Sequence, residues 1–234
     1  MRQTFSHISD WVFDLDNTLY PSHCNLFAQM DQRITNYVMR VIDKDFDEAR
    51  KWQKHYYREY GTTLRGLMDE HDVDPQHYLD DVHDIDYSSI SRNEELGNLI
   101  QALPGRKHIF TNGDVPHAQR TLAALGIENT FDEIFDITHA GFVPKPEPEP
   151  YDKFLKSHDI DPKFAAMFED MPRNLEIPKK KGMSTVLLVA AEQESSPREN
   201  WELDGKNSSH IDFVSDDLNL FISGILETLA LPNS

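Results

Sequence analysis

Cysteine, positive charge and long apolar runs are what this chain has least of. Its single cysteine, Cys24, cannot close an internal disulfide. That fits a reducing compartment and leaves a small buried residue as the expected role of the thiol. Lys and Arg number 23 against 41 Asp and Glu, a formal net charge of −18. The longest basic run, Lys179-Lys180-Lys181, comes just before Gly182 at an expected helix end, where cations offset the dipole. Phosphate backbones need a broad basic footprint, so a nucleic-acid polymer is not an expected partner. No apolar run reaches the roughly 20 residues of a membrane span, and Met1 to Asp10 holds no apolar leader core. The expectation is a cytoplasmic protein with no membrane partner, acting as a monomer or homodimer.

What is present is enough to build a core. With 38% apolar and 27% charged residues over 234 positions, the chain reads as globular, either one domain or a domain with a sizeable insertion. Its first informative stretch is Trp11-Val12-Phe13-Asp14-Leu15-Asp16-Asn17-Thr18-Leu19-Tyr20. A short apolar run there ends in two carboxylates and a hydroxyl, where a buried strand gives way to a loop. Ligand sites in open parallel sheets lie at that end of the strands, although a solvated acidic turn would also suit Asp16-Asn17-Thr18.

After Pro21 the periodicity turns helical. Helices are expected from Cys24 to Ile42, from Phe46 to Tyr60 with Gly61 as stop, from Thr62 to Met68, from Asp74-Pro75 through Val82, and from Asn93 to Leu103. No strand pattern interrupts this segment, which reads as a helical insertion on a different platform. The platform resumes with strands at Lys107–Thr111, Phe131–Ile137, Ala165–Asp170, Thr185–Val189 and His210–Val214. Helices alternate with them at Pro116–Leu125, Tyr151–His158, up to Gly182, and from Asp216 to Leu229. Glu192 to Ser209 reads as a polar loop. Apolar strands without alternation, separated by helices, argue for an α/β fold with a parallel sheet covered on both faces.

Three of these strands end in groups with chemistry: Asp14 and Asp16, Thr111 before the Asn112-Gly113-Asp114 turn, and Glu169-Asp170. Parallel strands bring their C-terminal ends together, and the proline-rich loop after Val143 can add Lys145 at the same edge. An ionised carboxylate can attack phosphorus while a second moves protons. Carboxylate oxygens can hold Mg²⁺, and a hydroxyl, backbone N–H groups and a lysine can hold phosphoryl oxygens. In so acidic a chain, a metal and a few placed cations are required to invert the local field for a phosphate substrate.

Asp14-Leu15-Asp16-Asn17-Thr18, Phe110-Thr111-Asn112-Gly113-Asp114, Lys145-Pro146 and Glu169-Asp170 with Asn174, in that order, resemble the four motifs of the haloacid dehalogenase (HAD) superfamily of phosphohydrolases. The resemblance implies a Rossmann-like core over residues 1–20 and 104–234, with a helical C1-type cap over 21–103. It implies that Asp14 is the nucleophile forming a phosphoaspartyl intermediate and that Asp16 is the acid and base. Thr111, with Lys145 and the N–H groups of Asn112 and Gly113, would hold phosphoryl oxygens. Mg²⁺ would be bound by Asp14, the Asp16 carbonyl and Asp170, with Glu169 and Asn174 in support; which of the two adjacent acids ligates directly stays open. Superfamily members that cleave carbon–halogen bonds lack the second aspartate, so Asp16 implies an ester, although phosphomutases keep it too.

Tyr57-Arg58-Glu59-Tyr60-Gly61-Thr62-Thr63-Leu64, His83-Asp84-Ile85-Asp86-Tyr87 and Phe168-Glu169-Asp170 with Asn174 further resemble the pyrimidine 5′-nucleotidase branch. That implies a small phosphate monoester as partner, a nucleoside 5′-monophosphate such as UMP or CMP, with Tyr20, Tyr57 and Arg58 as substrate contacts. Sugar phosphates or phosphoglycolate are the enzymatic alternative, and a catalytically weak binding scaffold is the other class. Trp52, Tyr56 and Tyr60 at helical spacing are expected mainly as cap core. His71, His77 and His83 match no zinc spacing.

Overall fold

The computed structural model describes residues 1–189 and 208–231. As far as Asn207, the expected polar loop from Glu192 lies outside the described residues. Six strands, β1 (Asp10–Phe13), β2 (Arg106–Phe110), β3 (Glu133–Phe135), β4 (Ala165–Glu169), β5 (Ser184–Leu188) and β6 (Phe213–Ser215), form one sheet. Their spatial order is β3-β2-β1-β4-β5-β6, and every neighbouring pair is parallel. After β3 the chain returns to the other side of β1. The crevice beyond the C-terminal ends of β1, β2 and β4 is therefore the topological switch point where such sheets bind ligands.

All residues of β1 and β4 are buried, as the unbroken apolar runs require of strands covered on both faces. Phe13 and Phe168 are register partners, and their rings stack with centroids 4.6 Å apart. A short helix α1 (Arg2–Phe5), which no sequence signal marked, brings Phe5 against Trp11 and Phe221.

The insertion after β1 is all helical: α2 (Leu26–Ile42), α3 (Phe46–Tyr60), α4 (Thr63–His71), α5 (Pro75–Val82) and α6 (Glu94–Ala102). Its start signals act as capping chemistry dictates. Asp45, Thr62, Asp74 and Asn93 each accept a bond from a backbone N–H in the first turn, satisfying donors the helix cannot. Gly61 stops α3 at φ +82°, and a Cβ there would lie 3.0 Å from Pro144 Cγ. The end of α3 thus sits directly on the loop that carries Lys145. Within the insertion, α3 and α4 approach so closely that a Cβ on Gly66 would come within 2.7 Å of Tyr56 Cβ.

A separate core joins Tyr37, Val38, Ala49, Tyr56, Leu67 and Tyr78. The helical stripe is narrower than the sequence suggests, since Phe27, Phe46 and Trp52 are exposed at 40%, 39% and 41%. The inward line of α3 runs through Ala49, Gln53 and Tyr56, and Trp52 flanks it, packing on the Tyr56 and His55 rings. Helix α6 faces the other way. Its Leu96 and Ile100 join the cluster containing Phe13 and Phe168, and Asn93 Nδ2 donates to Asn219 Oδ1.

Helices α7 (Val115–Leu125), α8 (Pro148–Ser157), α9 (Glu176–Lys181) and α10 (Leu218–Ala230) cover the sheet. Cys24 is buried, as expected. The Lys179-Lys180-Lys181 run ends α9, and its ammonium groups pair with Asp212, Glu176 and Asp152. Among the described residues, no helix is long and apolar enough to cross a membrane.

Candidate active site

Asp14 follows the last residue of β1, and its N–H donates to Phe168 O at 2.9 Å. The sheet ladder thereby holds its Cα rigidly. Asn17 then takes φ +58°, which turns the chain so that Thr18 Oγ1 donates to Asp14 Oδ2 at 3.1 Å. Lys145 Nζ donates to Asp14 Oδ1 at 2.7 Å, Glu169 Oε1 at 2.8 Å and Phe110 O at 2.9 Å. An ammonium has three protons, and all three are committed to the protein. A phosphoryl oxygen near Lys145 would therefore feel its field or have to displace one of these acceptors.

The loop after β2 is organised in the same way. Asn112 Oδ1 accepts from Lys145 N at 2.8 Å, and its amide donates to Lys145 O at 3.3 Å. The Asn112 side chain thus fixes the backbone of the lysine, which bears a cis peptide to Pro146. Gly113 N–H donates to Thr111 Oγ1 at 2.9 Å, so this expected phosphate donor is engaged within the loop. The Thr111 hydroxyl, in turn, has an acceptor role filled and its proton available, with no acceptor for it among the described residues.

Asp14, Glu169 and Asp170 are buried, and each can place an oxygen within 4.8 Å of the others. Glu169 is heavily engaged. Its Oε1 also accepts from Asn174 Nδ2 at 2.6 Å, and its Oε2 accepts from Met171 N at 2.7 Å. Tyr151 OH supports Asn174 by donating to its carbonyl. Three carboxylates against one ammonium leave the cluster short of positive charge. Burial accordingly pushes Asp14 up to about 7, against the pull of Lys145. Glu169, equally buried, is nevertheless held below its usual range by Lys145 and its other donors. A hard divalent cation fits this all-oxygen, over-negative donor set.

Asp16 has a different environment. Its Oδ1 accepts from Tyr20 OH at 2.6 Å and lies 2.8 Å from His117 Nε2. Burial works to raise this carboxyl, but His117, Tyr20 and the more distant His83 outweigh it and hold it at about 2. His117 is a residue that motif reading missed. Its only sequence signal is its place three residues after Asp114, in the first turn of the helix that follows the glycine turn.

The three expected substrate contacts sit in different settings. Tyr20 is buried and its hydroxyl is held by Asp16. Tyr57 is half-buried, with the Arg173 guanidinium 5.0 Å from its ring centroid, and Arg58 is exposed. The three cap histidines do not converge: His71 contacts Tyr56 OH, His77 contacts Tyr37 OH, and His83 faces Asp114.

A parallel sheet whose switch point gathers a strand-end aspartate pair, a buried lysine and an acidic cluster, beneath a helical cap after β1, defines a capped hydrolase class. Residues 12–180 match the model of the haloacid dehalogenase-like hydrolase family, and the chain belongs to that family. It is 26% identical over 226 residues to phosphate metabolism protein 8 of Saccharomyces cerevisiae, covering 90% of this chain and 70% of that one. A HAD phosphatase from Thermococcus onnurineus superposes with a TM-score of 0.61 at 15% identity, covering 93% of this chain and 98% of that one. L-2-haloacid dehalogenase from Xanthobacter autotrophicus, with chloropropionic acid covalently bound, gives a TM-score of 0.58 at 18% identity, with coverage of 93% and 98%. The fold, helical cap included, is that of these proteins.

Proposed function

We propose that the chain is a Mg²⁺-dependent phosphomonoester hydrolase working through a phosphoaspartyl intermediate. The observation that carries this is the contrast between two neighbouring aspartates. Asp14 is clamped between Lys145 and Thr18 in the acidic cluster, whereas Asp16 sits apart from that lysine on its own donors. An Asp14 oxygen attacks phosphorus as the bond to the leaving oxygen breaks. Asp16, held low in the free protein, binds a proton when the negative phosphate ester arrives beside it, and delivers that proton to the leaving oxygen. Asp16 then takes a proton from the water that attacks the phosphoaspartate, releasing phosphate and restoring Asp14. A halide leaving group needs no proton, so a second aspartate with its own positioning favours an ester. Mg²⁺ supplies charge neutralisation at the phosphoryl group; Asp14, the Asp16 carbonyl and Asp170 are its proposed ligands. Glu169, held by Lys145, Met171 N and Asn174, is the proposed support of this set.

The proposed organisation is a core of residues 1–20 and 104–234, with a cap of 21–103 whose seam is α6. Cap closure keeps water from the site until the phosphoaspartate has formed. The leaving group is proposed to be a nucleoside, UMP and CMP first, on the resemblance of the 57–64, 83–87 and 168–174 segments. Sugar phosphates and phosphoglycolate are the alternative esters. Phosphate release from p-nitrophenyl phosphate should require Mg²⁺ and vanish in Asp14→Asn; turnover retained in that variant would remove Asp14 as nucleophile. A panel of nucleotides, sugar phosphates and phosphoglycolate then tests the leaving group. Equal rates on UMP and glucose phosphates would remove the nucleotidase reading and leave the phosphatase.

A further inference from the structure

Two imidazoles lie face to face where the insertion meets the sheet domain. His83, capping the end of α5, stacks on His117 of α7 with centroids 4.4 Å apart and planes 12° from parallel. His83 Nδ1 is 3.0 Å from Asp114 Oδ1, and the two side chains are only 7% and 3% exposed. Asp114 also caps α7 by accepting from His117 N at 2.9 Å. The His117 side chain is fully buried and 2.8 Å from Asp16 Oδ1. Its other nitrogen, Nδ1, is 2.9 Å from Tyr87 OH. Tyr87, also from the insertion, donates to His83 O at 3.1 Å and accepts from Arg120 Nε at 3.2 Å. Both nitrogens of one buried ring are thus engaged, one by the reactive aspartate and the other by the cap.

The bland account is a core histidine with satisfied nitrogens. It leaves unexplained why both contacts to the Asp16 carboxylate end on one oxygen. Tyr20 OH and His117 Nε2 converge on Oδ1. Oδ2 lies on the side of the glycine turn, where a Cβ on Gly113 would meet it at 3.9 Å and His117 Cδ2 at 3.0 Å. Two anchors on one oxygen fix the rotation of a carboxylate and present the other.

We infer that His117 is a positioning residue for Asp16. With Tyr20 it holds Oδ1 so that Oδ2 is the oxygen exchanging a proton with the leaving group, while Tyr87 and His83 hold the imidazole and tie this alignment to the seating of the cap. The inference rests on the phosphomonoesterase reading. A misaligned acid slows cleavage most when the leaving oxygen is basic, because a good leaving group departs with little protonation. Burial pushes His83 below its ordinary range, which favours a neutral ring in the stack on His117.

The test uses Mg²⁺-loaded protein and two esters of nearly equal shape, phenyl phosphate and p-nitrophenyl phosphate. In His117→Ala, kcat/KM, which reports the step that expels the leaving group and not the shared hydrolysis of the phosphoaspartate, should fall about 100-fold on phenyl phosphate and about 10-fold or less on p-nitrophenyl phosphate. His117→Gln, which restores an N–H donor, should recover part of the phenyl phosphate loss. Tyr87→Phe, which removes only the cap hydroxyl, should show the same selectivity at smaller size, and it carries the test if His117→Ala does not fold. Equal losses on both esters, or no loss, would overturn the positioning role while leaving the hydrolase reading intact. Wild-type protein that releases phosphate from neither ester would overturn both.

Discussion

Lys145 Nζ and Asp14 Oδ1 lie 2.7 Å apart although 131 residues separate them in the chain. The lysine is 1% exposed, and it holds Glu169 with the same group. Removing one partner of a buried ionic cluster leaves charge that neither water nor protein compensates. Lys145→Met should therefore destabilise the protein by about 3–5 kcal/mol, measured by urea unfolding without added metal. Lys145→Arg should not rescue it, since a planar five-donor fork does not fit three acceptors converging on one nitrogen. An unchanged unfolding free energy in Lys145→Met would show that the cluster is not ionised as described.

How much of this could be read from residues alone depends on the range of the interaction. Strand ends and helix starts are local. Asp45, Thr62, Asp74 and Asn93 cap as their types dictate, and the apolar runs at Val12 and Met167 are buried strands. Motif order brings Asp14, Thr111, Lys145 and Asp170 to one edge because every strand is parallel. The commitments of individual atoms are not local. His117 meets Asp16 across 101 residues, and nothing in its surroundings separates it from a helix-surface histidine. The same limit explains Phe46 and Trp52, whose apolar character matches the buried stripe while the angle of α3 leaves them outside it. Helix α1 is too short for periodicity to reveal.

Thr111 offers a sharper test of the phosphate loop. Its oxygen accepts from Gly113 N–H, and its own proton has no acceptor among the described residues. Thr111→Val keeps the shape but removes a donor to the phosphoryl oxygens. kcat/KM should fall by about 10²- to 10³-fold, as for loss of one preorganised donor. The freed Gly113 N–H, left in a buried loop, should cost about 1–3 kcal/mol. A variant with full activity would remove Thr111 from the reaction.

Stability should also report the buried histidines as pH falls. Burial lowers His83 below 6.5 despite Asp114, and lowers His108 below 6.5 despite Asp10. Between the depressed folded value and 6.5 the unfolded chain binds more protons, so stability rises with pH there. Their contribution is complete above 6.5 and is lost as pH falls through the folded values. Asp114, itself held below 3.8, keeps its share until lower pH. Asp14, raised to about 7, titrates in the same window with the opposite sign, so the histidine contribution is read as the difference between wild type and a histidine variant just below pH 6.5. His108→Gln should make stability rise less steeply with pH there than in the wild type; an unaltered slope would assign the loss to other groups.

The acidic cluster makes a last prediction that separates the proposed metal ligands from their supports. A cation that binds only the folded state raises stability by mass action, by about 2.7 kcal/mol at 100 times its Kd. Mg²⁺ should therefore raise the thermal midpoint of the wild-type protein. Asp170→Asn removes one of three crowded carboxylates, so like-charge repulsion falls and the metal-free midpoint should hold or rise. The Mg²⁺-dependent increase should nevertheless largely disappear. Glu169→Gln acts on a group bonded to Lys145, Met171 N and Asn174. It should lower the metal-free midpoint, because Lys145 loses a charged partner, while Mg²⁺ still produces an increase. The two substitutions each remove one negative charge, so they differ in the job of the carboxylate rather than in net charge. If Glu169→Gln abolishes the Mg²⁺ response and Asp170→Asn keeps it, the direct ligand is Glu169 and the bonds that engage it must rearrange on binding.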